Sequence, residues 1–267
     1  MSLLRRHALL GLLFATLAWA GCAPVPAAPD AQVRQALAPT GPLRVGVYAG
    51  SPTSLVRHPE TQVRAGVALD LGQAMGRELQ VPVRVVEFSR VAQVLEALKS
   101  VEVDVTFTNA TEARARDVDF TPPLVRLELG YLVPAGSPLQ TADEIDMPKV
   151  SVGVSQGSSS QGVLSQRFKQ AAVVPVPDLK AAQQRLANGE LHAFATNKGI
   201  LFEMSDELPG SRVMEGRWGL ENLAIAIPKG RDAGRAFVNA FAEQVRGNGQ
   251  LQKSVSRAGL RGTTSAP

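Results

Sequence analysis

Two stretches of this chain repeat the same order of elements, and that order leaves few folds open. Leu43-Arg-Val-Gly-Val-Tyr48 alternates and is rich in β-branched residues, which reads as a strand. Val67, Leu71, Met75 and Leu79 then recur every four residues, the pattern of one helical face. Val83 to Phe88 reads as a second strand, Val91, Val94, Leu95 and Leu98 as a second helix, and Val103 to Thr108 as a third strand. The order resumes at Val150-Ser-Val-Gly-Val154. A helix is expected before Lys169, a strand at Val173-Val174, and a helix from an Asp178 cap through Leu179, Ala182 and Leu186 to Asn188-Gly189. His192 to Thr196 closes this second run as a strand. Strands that alternate with helices are joined by crossovers, so the chain predicts an α/β fold built from two similar units. Between the units Leu127 to Pro134 is strand-like. After them Leu223 to Ile227 returns as a strand, followed by an amphipathic helix with Ala233, Phe237, Ala240, Phe241 and Val245 that ends at Gly247.

The N-terminus has a different character. Arg5, Arg6 and His7 precede an apolar run from Ala8 to Ala20, a pattern that reads as an export signal too short for an ordinary membrane span. Ala18-Trp19-Ala20 suits ordinary signal cleavage. Gly21-Cys22 resembles the end of a bacterial lipobox, where the cysteine is lipidated, although Trp19 replaces the usual aliphatic residue. Cys22 is the only cysteine, so no intrachain disulfide can form. The lone cysteine favours lipidation, and with it a periplasmic protein tethered to a membrane. Residues 1–21 are then the signal and 22–42 a tether, of which the proline-rich stretch Ala23 to Pro29 has no means of building a core. A disordered tail is expected over 261–267.

Several functions are disfavoured. The chain has 28 Lys and Arg against 24 Asp and Glu, and Arg5 and Arg6 belong to the leader, so the balance does not suggest nucleic acid. There is no phosphate loop, GxGxxG or CxxC, and His7, His58 and His192 are far apart, so neither a cofactor nor a metal is expected. Ser155-Gln-Gly-Ser-Ser-Ser160 lacks the spacing of a nucleophile elbow.

Four motifs, in order, resemble the solute-binding proteins of ABC importers in the family that includes the polar amino acid receptors, often called family 3. Gly66-Val-Ala-Leu-Asp-Leu71 is similar to its G-F-D-x-D-L helix start. Thr111-Glu-Ala-Arg114 and Val118-Asp-Phe-Thr-Pro122 are similar to its T-x-x-R…V-D-F-S-x-P signature. Val152-Gly-Val-Ser-Gln-Gly-Ser158 is similar to its V-G-V-x-x-G-T, and Ala224 to Gly230 to its return strand. The resemblance covers about residues 43 to 250. It implies a two-lobed, type II-like periplasmic binding protein fold. Lobe 1 comprises 43–131 and 225–260, lobe 2 comprises 132–224, and the ligand sits in the cleft between them. It also implies ABC permease subunits as partners, a monomer and no enzymatic activity. The runner-up is a periplasmic enzyme of the same fold, similar to a cyclohexadienyl dehydratase, for which Glu60, Glu128 and Glu203 are the acid or base candidates.

The resemblance also assigns the site. Arg114 is the carboxylate clamp, since a planar guanidinium can hold a carboxylate through two charge-assisted bonds. Ser158 and Ser159 match the start of a lobe 2 helix whose hydroxyls and free N–H groups can bind the same carboxylate. Thr108 and Asn109 fall where the family has small hydroxyl residues. The aromatic cradle Y-x-P-F falls on Ser51-Pro-Thr-Ser54, with Tyr48 three residues earlier. The lobe 2 pattern D-A-x-x-x-D falls on His192 to Asn197, and the aspartate that pairs with a ligand ammonium becomes Asn197. An amide bonds but does not neutralise charge. The expected solute is therefore a small anion, an organic acid, or a zwitterionic amino acid held in an unusual way.

Overall fold

The computed structural model describes residues 30–58 and 60–264; the export signal and Cys22 lie outside them. The first lobe begins with the strand Leu43–Tyr48, which pairs in parallel with Val83–Phe88. The helix Val67–Leu79 connects them. Val67, Leu71, Met75 and Leu79 are all buried, as their spacing predicts. Gly66 starts this helix with φ +156°, and a Cβ there would lie 2.0 Å from the Ser54 carbonyl oxygen. A side chain is thus excluded where the helix meets the Ser51–Leu55 loop.

Two strands carry the chain between lobes. The outgoing strand Val125–Val133 and the return strand Gly219–Pro228 pair antiparallel, from Gly219 opposite Leu129 to Leu223 opposite Val125. On the first side the return strand pairs with Thr106–Asn109. On the second side the outgoing strand pairs with Ala193–Asn197, which continues in parallel to Ser151–Ser155 and Ala172–Val176. One curled sheet therefore runs through both lobes. Apolar packing divides along the same line. One core gathers Leu37 to Leu127 with Leu223 to Leu260. Two others gather residues from Tyr131 to Met214. Among the described residues no helix is long and apolar enough to cross a membrane.

Three expectations need correction. The stretch 22–42 is not tether throughout, because Ala31–Leu37 is a helix packed on the helix Asp232–Gly247. Asp30 caps it, and Leu37 is buried against Gly234, whose missing side chain leaves room. The tail is ordered as far as Thr264, since Thr263–Thr264 pairs with Leu127 and Arg126 of the outgoing strand. The buried face of Asp232–Gly247 is Gly234, Val238, Phe241, Ala242 and Val245, so Ala233 and Ala240 are exposed. A further helix, Gln250–Arg257, covers part of that face.

Candidate functional site

The cleft between the lobes is built around Arg114. Thr111 caps the short turn of helix that carries it, accepting a bond from the Arg114 backbone N–H at 3.2 Å. The side chain then folds back over the end of the strand Thr106–Asn109. Its Nη1 donates to Thr108 Oγ1 at 3.2 Å and to the Asn109 carbonyl at 3.0 Å. Both bonds use one nitrogen of a five-donor group. Desolvation lowers the Arg114 pKa, opposed by the negative charge of Glu221 and by Tyr48. An arginine so placed stays protonated.

Lobe 2 faces it with two helix starts. Ser158 caps the helix Ser159–Arg167, accepting from Gln161 N–H at 3.2 Å. Asn197 caps the helix Lys198–Glu207, accepting from Ile200 N–H at 3.1 Å. Asn109 joins the two lobes, because its amide donates to Ser159 Oγ at 3.3 Å and its Oδ1 accepts from the Asn222 N–H at 2.9 Å. Arg114, Asn109, Thr108, Ser158, Ser159 and Asn197 thus line one narrow cleft of about 30 Å³. A wider hollow of about 480 Å³ opens beside it on Arg114, Ser158 and Ser159.

Other positions fall elsewhere. Ser51 lies behind the cleft and is fully buried. Its hydroxyl accepts from Tyr48 Oη at 3.2 Å and meets Thr53 Oγ1 at 2.8 Å. Tyr48 and Thr53 reach the lining in its place. Burial pushes the Tyr48 phenol pKa up. His192 is exposed, and its Nδ1 accepts from the Ser151 N–H at 3.1 Å. Glu128 is held by Lys198 and Arg217 outside the cleft, Glu203 by Arg261, and Glu60 is exposed.

The acid that does reach the site is Glu221, on the return strand. It is 7% exposed. Its Oε1 accepts from Ser159 Oγ and its Oε2 from Asn197 Nδ2, both at 3.1 Å. Burial raises its pKa, while Arg114 and these two bonds pull it down. The sequence reading starts the return strand at Leu223 and so leaves Glu221 in a loop. Extending the strand by its own alternation reveals it. Glu221 shares the parity of Leu223, Ile225 and Ile227, all core residues, and an acid on that face is a buried charge.

With this geometry the chain can be compared with known proteins. The sequence model of bacterial extracellular solute-binding proteins, family 3, matches residues 43–258. The chain belongs to that family. It is 21% identical over 202 residues to the ABC transporter glutamine-binding protein GlnH of Bacillus subtilis (strain 168), covering 74% of each. Solved structures share its fold. The L-arginine-bound amino acid ABC transporter substrate-binding protein AbpA of Streptococcus pneumoniae superposes with TM-score 0.75 at 18% identity, covering 84% of this chain and 97% of that one. An ancestral amino acid-binding protein, a precursor of cyclohexadienyl dehydratase, superposes with TM-score 0.71 at 22% identity, covering 82% and 95%. Family 3 membership makes this chain a solute-binding protein of the two-lobed periplasmic type.

Proposed function

We propose that this family 3 protein is the receptor of an ABC importer and captures a carboxylate-bearing solute, an amino acid or an organic acid, by closing its lobes. The observation that carries this reading is Arg114. It is a largely desolvated cation in an interlobe cleft, with Nε and Nη2 left for a ligand and Ser158 and Ser159 opposite. A carboxylate suits that arrangement, because it takes parallel bonds from the guanidinium while the lobe 2 helix start supplies N–H groups. The outgoing and return strands are the hinge, and closure expels water around the ionic bonds. Lobe 1 is then 43–131 with 225–260, and lobe 2 is 132–224. The mature protein works as a monomer in the periplasm, held by lipid on Cys22, and delivers solute to permease subunits. GlnH and the arginine-bound receptor support an amino acid as cargo.

A second reading, an enzyme of the same fold, has one observation in its favour. Glu221 is a buried acid in the cleft with a raised pKa, which is the profile of a general acid or base. A thermal-shift screen of amino acids and organic carboxylates tests both readings, since a ligand raises apparent stability by mass action. One or a few acids should raise Tm and persist unchanged in the mixture, and the scattering radius should fall at saturation. No shift with any acid would overturn the receptor reading, and steady turnover of a bound cyclic dienoic acid would establish the enzyme.

A further inference from the structure

We propose that Glu221 holds the α-ammonium of the solute, which makes the ligand an α-amino acid gripped between Arg114 and a counter-charge carried on the return strand. This rests on the receptor reading above. Position 197, where the resemblance expects an ammonium-binding aspartate, is an uncharged asparagine. Its amide nevertheless points at a carboxylate, donating to Glu221 Oε2 at 3.1 Å. Ser159, at the start of the opposite lobe 2 helix, donates to the other oxygen at 3.1 Å. The missing negative charge is therefore present, displaced by one side chain and supplied from the return strand rather than from position 197.

Among the described residues the charge has no cationic partner of its own. Both of its bonds come from neutral groups, and Arg114 directs Nη1 to Thr108 and Asn109 instead. Arg114 acts on Glu221 only through space. A carboxylate buried with neutral donors alone is costly to keep ionised. A zwitterion relieves both ends, because its carboxylate meets the guanidinium while its ammonium meets Glu221. A plain carboxylate relieves one end and sets a second negative charge beside the other, which opposes binding. The arrangement selects against organic acids by repulsion as well as for amino acids by attraction.

Calorimetric titration tests this. The proteinogenic L-amino acids are the probes, and each one that binds is compared with the same acid carrying hydrogen in place of the α-ammonium. The proteins are the wild type, Glu221→Gln, Asn197→Asp, and the double variant Glu221→Gln/Asn197→Asp. The wild type should prefer the amino acid by about thirty-fold or more, as expected for one partner of a buried charge pair. Glu221→Gln should lose that preference, and the double variant should recover most of it, because aspartate caps a helix as asparagine does. Asn197→Asp alone should bring no gain, since it faces Glu221 with a like charge. Should Glu221→Gln fail to fold, the wild type decides by proton linkage at mildly acidic pH: amino acid binding must release protons and the deaminated analogue must take them up. A folded Glu221→Gln that keeps the preference, or proton exchange that is absent for both ligands, would overturn the proposal. Wild-type binding of carboxylates but of no amino acid would overturn it while leaving the receptor reading intact. Binding of neither class would remove both.

Discussion

Asp104 makes a demanding test of how lobe 1 is held together. Its side chain is wholly shielded and receives four bonds. Oδ2 accepts from the Arg44 backbone N–H at 2.9 Å and from Arg44 Nε at 2.8 Å, while Oδ1 accepts from Arg44 Nη2 at 2.7 Å and Arg231 Nη2 at 2.9 Å. The bond to Asp104 is the largest cause of the raised Arg44 pKa. The two arginine side chains are 15% and 9% exposed, so neither finds water easily once the acid is gone. Arg231 also donates to the Ala36 carbonyl, which ties the N-terminal helix to the same cluster. Removing one partner of a buried pair typically costs about 3–5 kcal/mol, a large share of the roughly 5–15 kcal/mol that keeps a domain folded. Asp104→Ala should therefore lower the urea midpoint by about 1–2.5 M for a slope of roughly 2–3 kcal/mol/M. Equilibrium unfolding followed by circular dichroism measures it. Ligand affinity of the folded variant should be unchanged, since Asp104 is not in the cleft lining. A loss below about 1 kcal/mol would mean that both arginines resolvate at little cost, and the cluster would not be what fastens lobe 1.

Three further outcomes are expected. The raised Glu221 pKa means the ligand-free fold gains stability from protonated Glu221 below the ordinary glutamate pKa, and loses it as pH rises through the raised value. Amino acid affinity should climb over that same window, with Arg114 and Tyr48 the charged and titratable groups facing Glu221; titrations in buffers of different ionisation enthalpy should report the released proton, and a flat profile would contradict it. The mature chain should begin at a lipid-modified Cys22 by mass spectrometry, whereas an unmodified N-terminus at Gly21 or beyond Cys22 would leave a free periplasmic protein.

Much of this architecture was legible from residue spacing. The four-residue recurrence from Val67 to Leu79 locates a helix because burial follows the helical period, and T-x-x-R locates Arg114 because the motif fixes a capped turn at a strand end. What was not legible depends on contacts across long sequence separations. Leu37 is core only because Gly234, on a helix near the other end of the chain, leaves space for it. Thr263 and Thr264 are ordered only because the outgoing strand offers them an edge. Ser51 carries the right hydroxyl, yet Tyr48 and Thr53 stand between it and the cleft. Glu221 was hidden by a strand boundary set four residues late, at Leu223 instead of Gly219. Asn197 is uncharged, and the carboxylate to which its amide donates lies 24 residues further on, on another strand.

Calorimetry on Arg114→Ala tests whether Arg114 is the clamp of an interlobe binding site. The titrant is whichever acid the thermal-shift screen finds, and circular dichroism checks that the variant is folded. Losing one partner of a desolvated, hydrogen-bonded charge pair typically costs about 2–5 kcal/mol, so affinity should fall about thirty-fold or more while Tm without ligand changes little. A folded Arg114→Ala that binds the same acid with near wild-type affinity would remove Arg114 from the site.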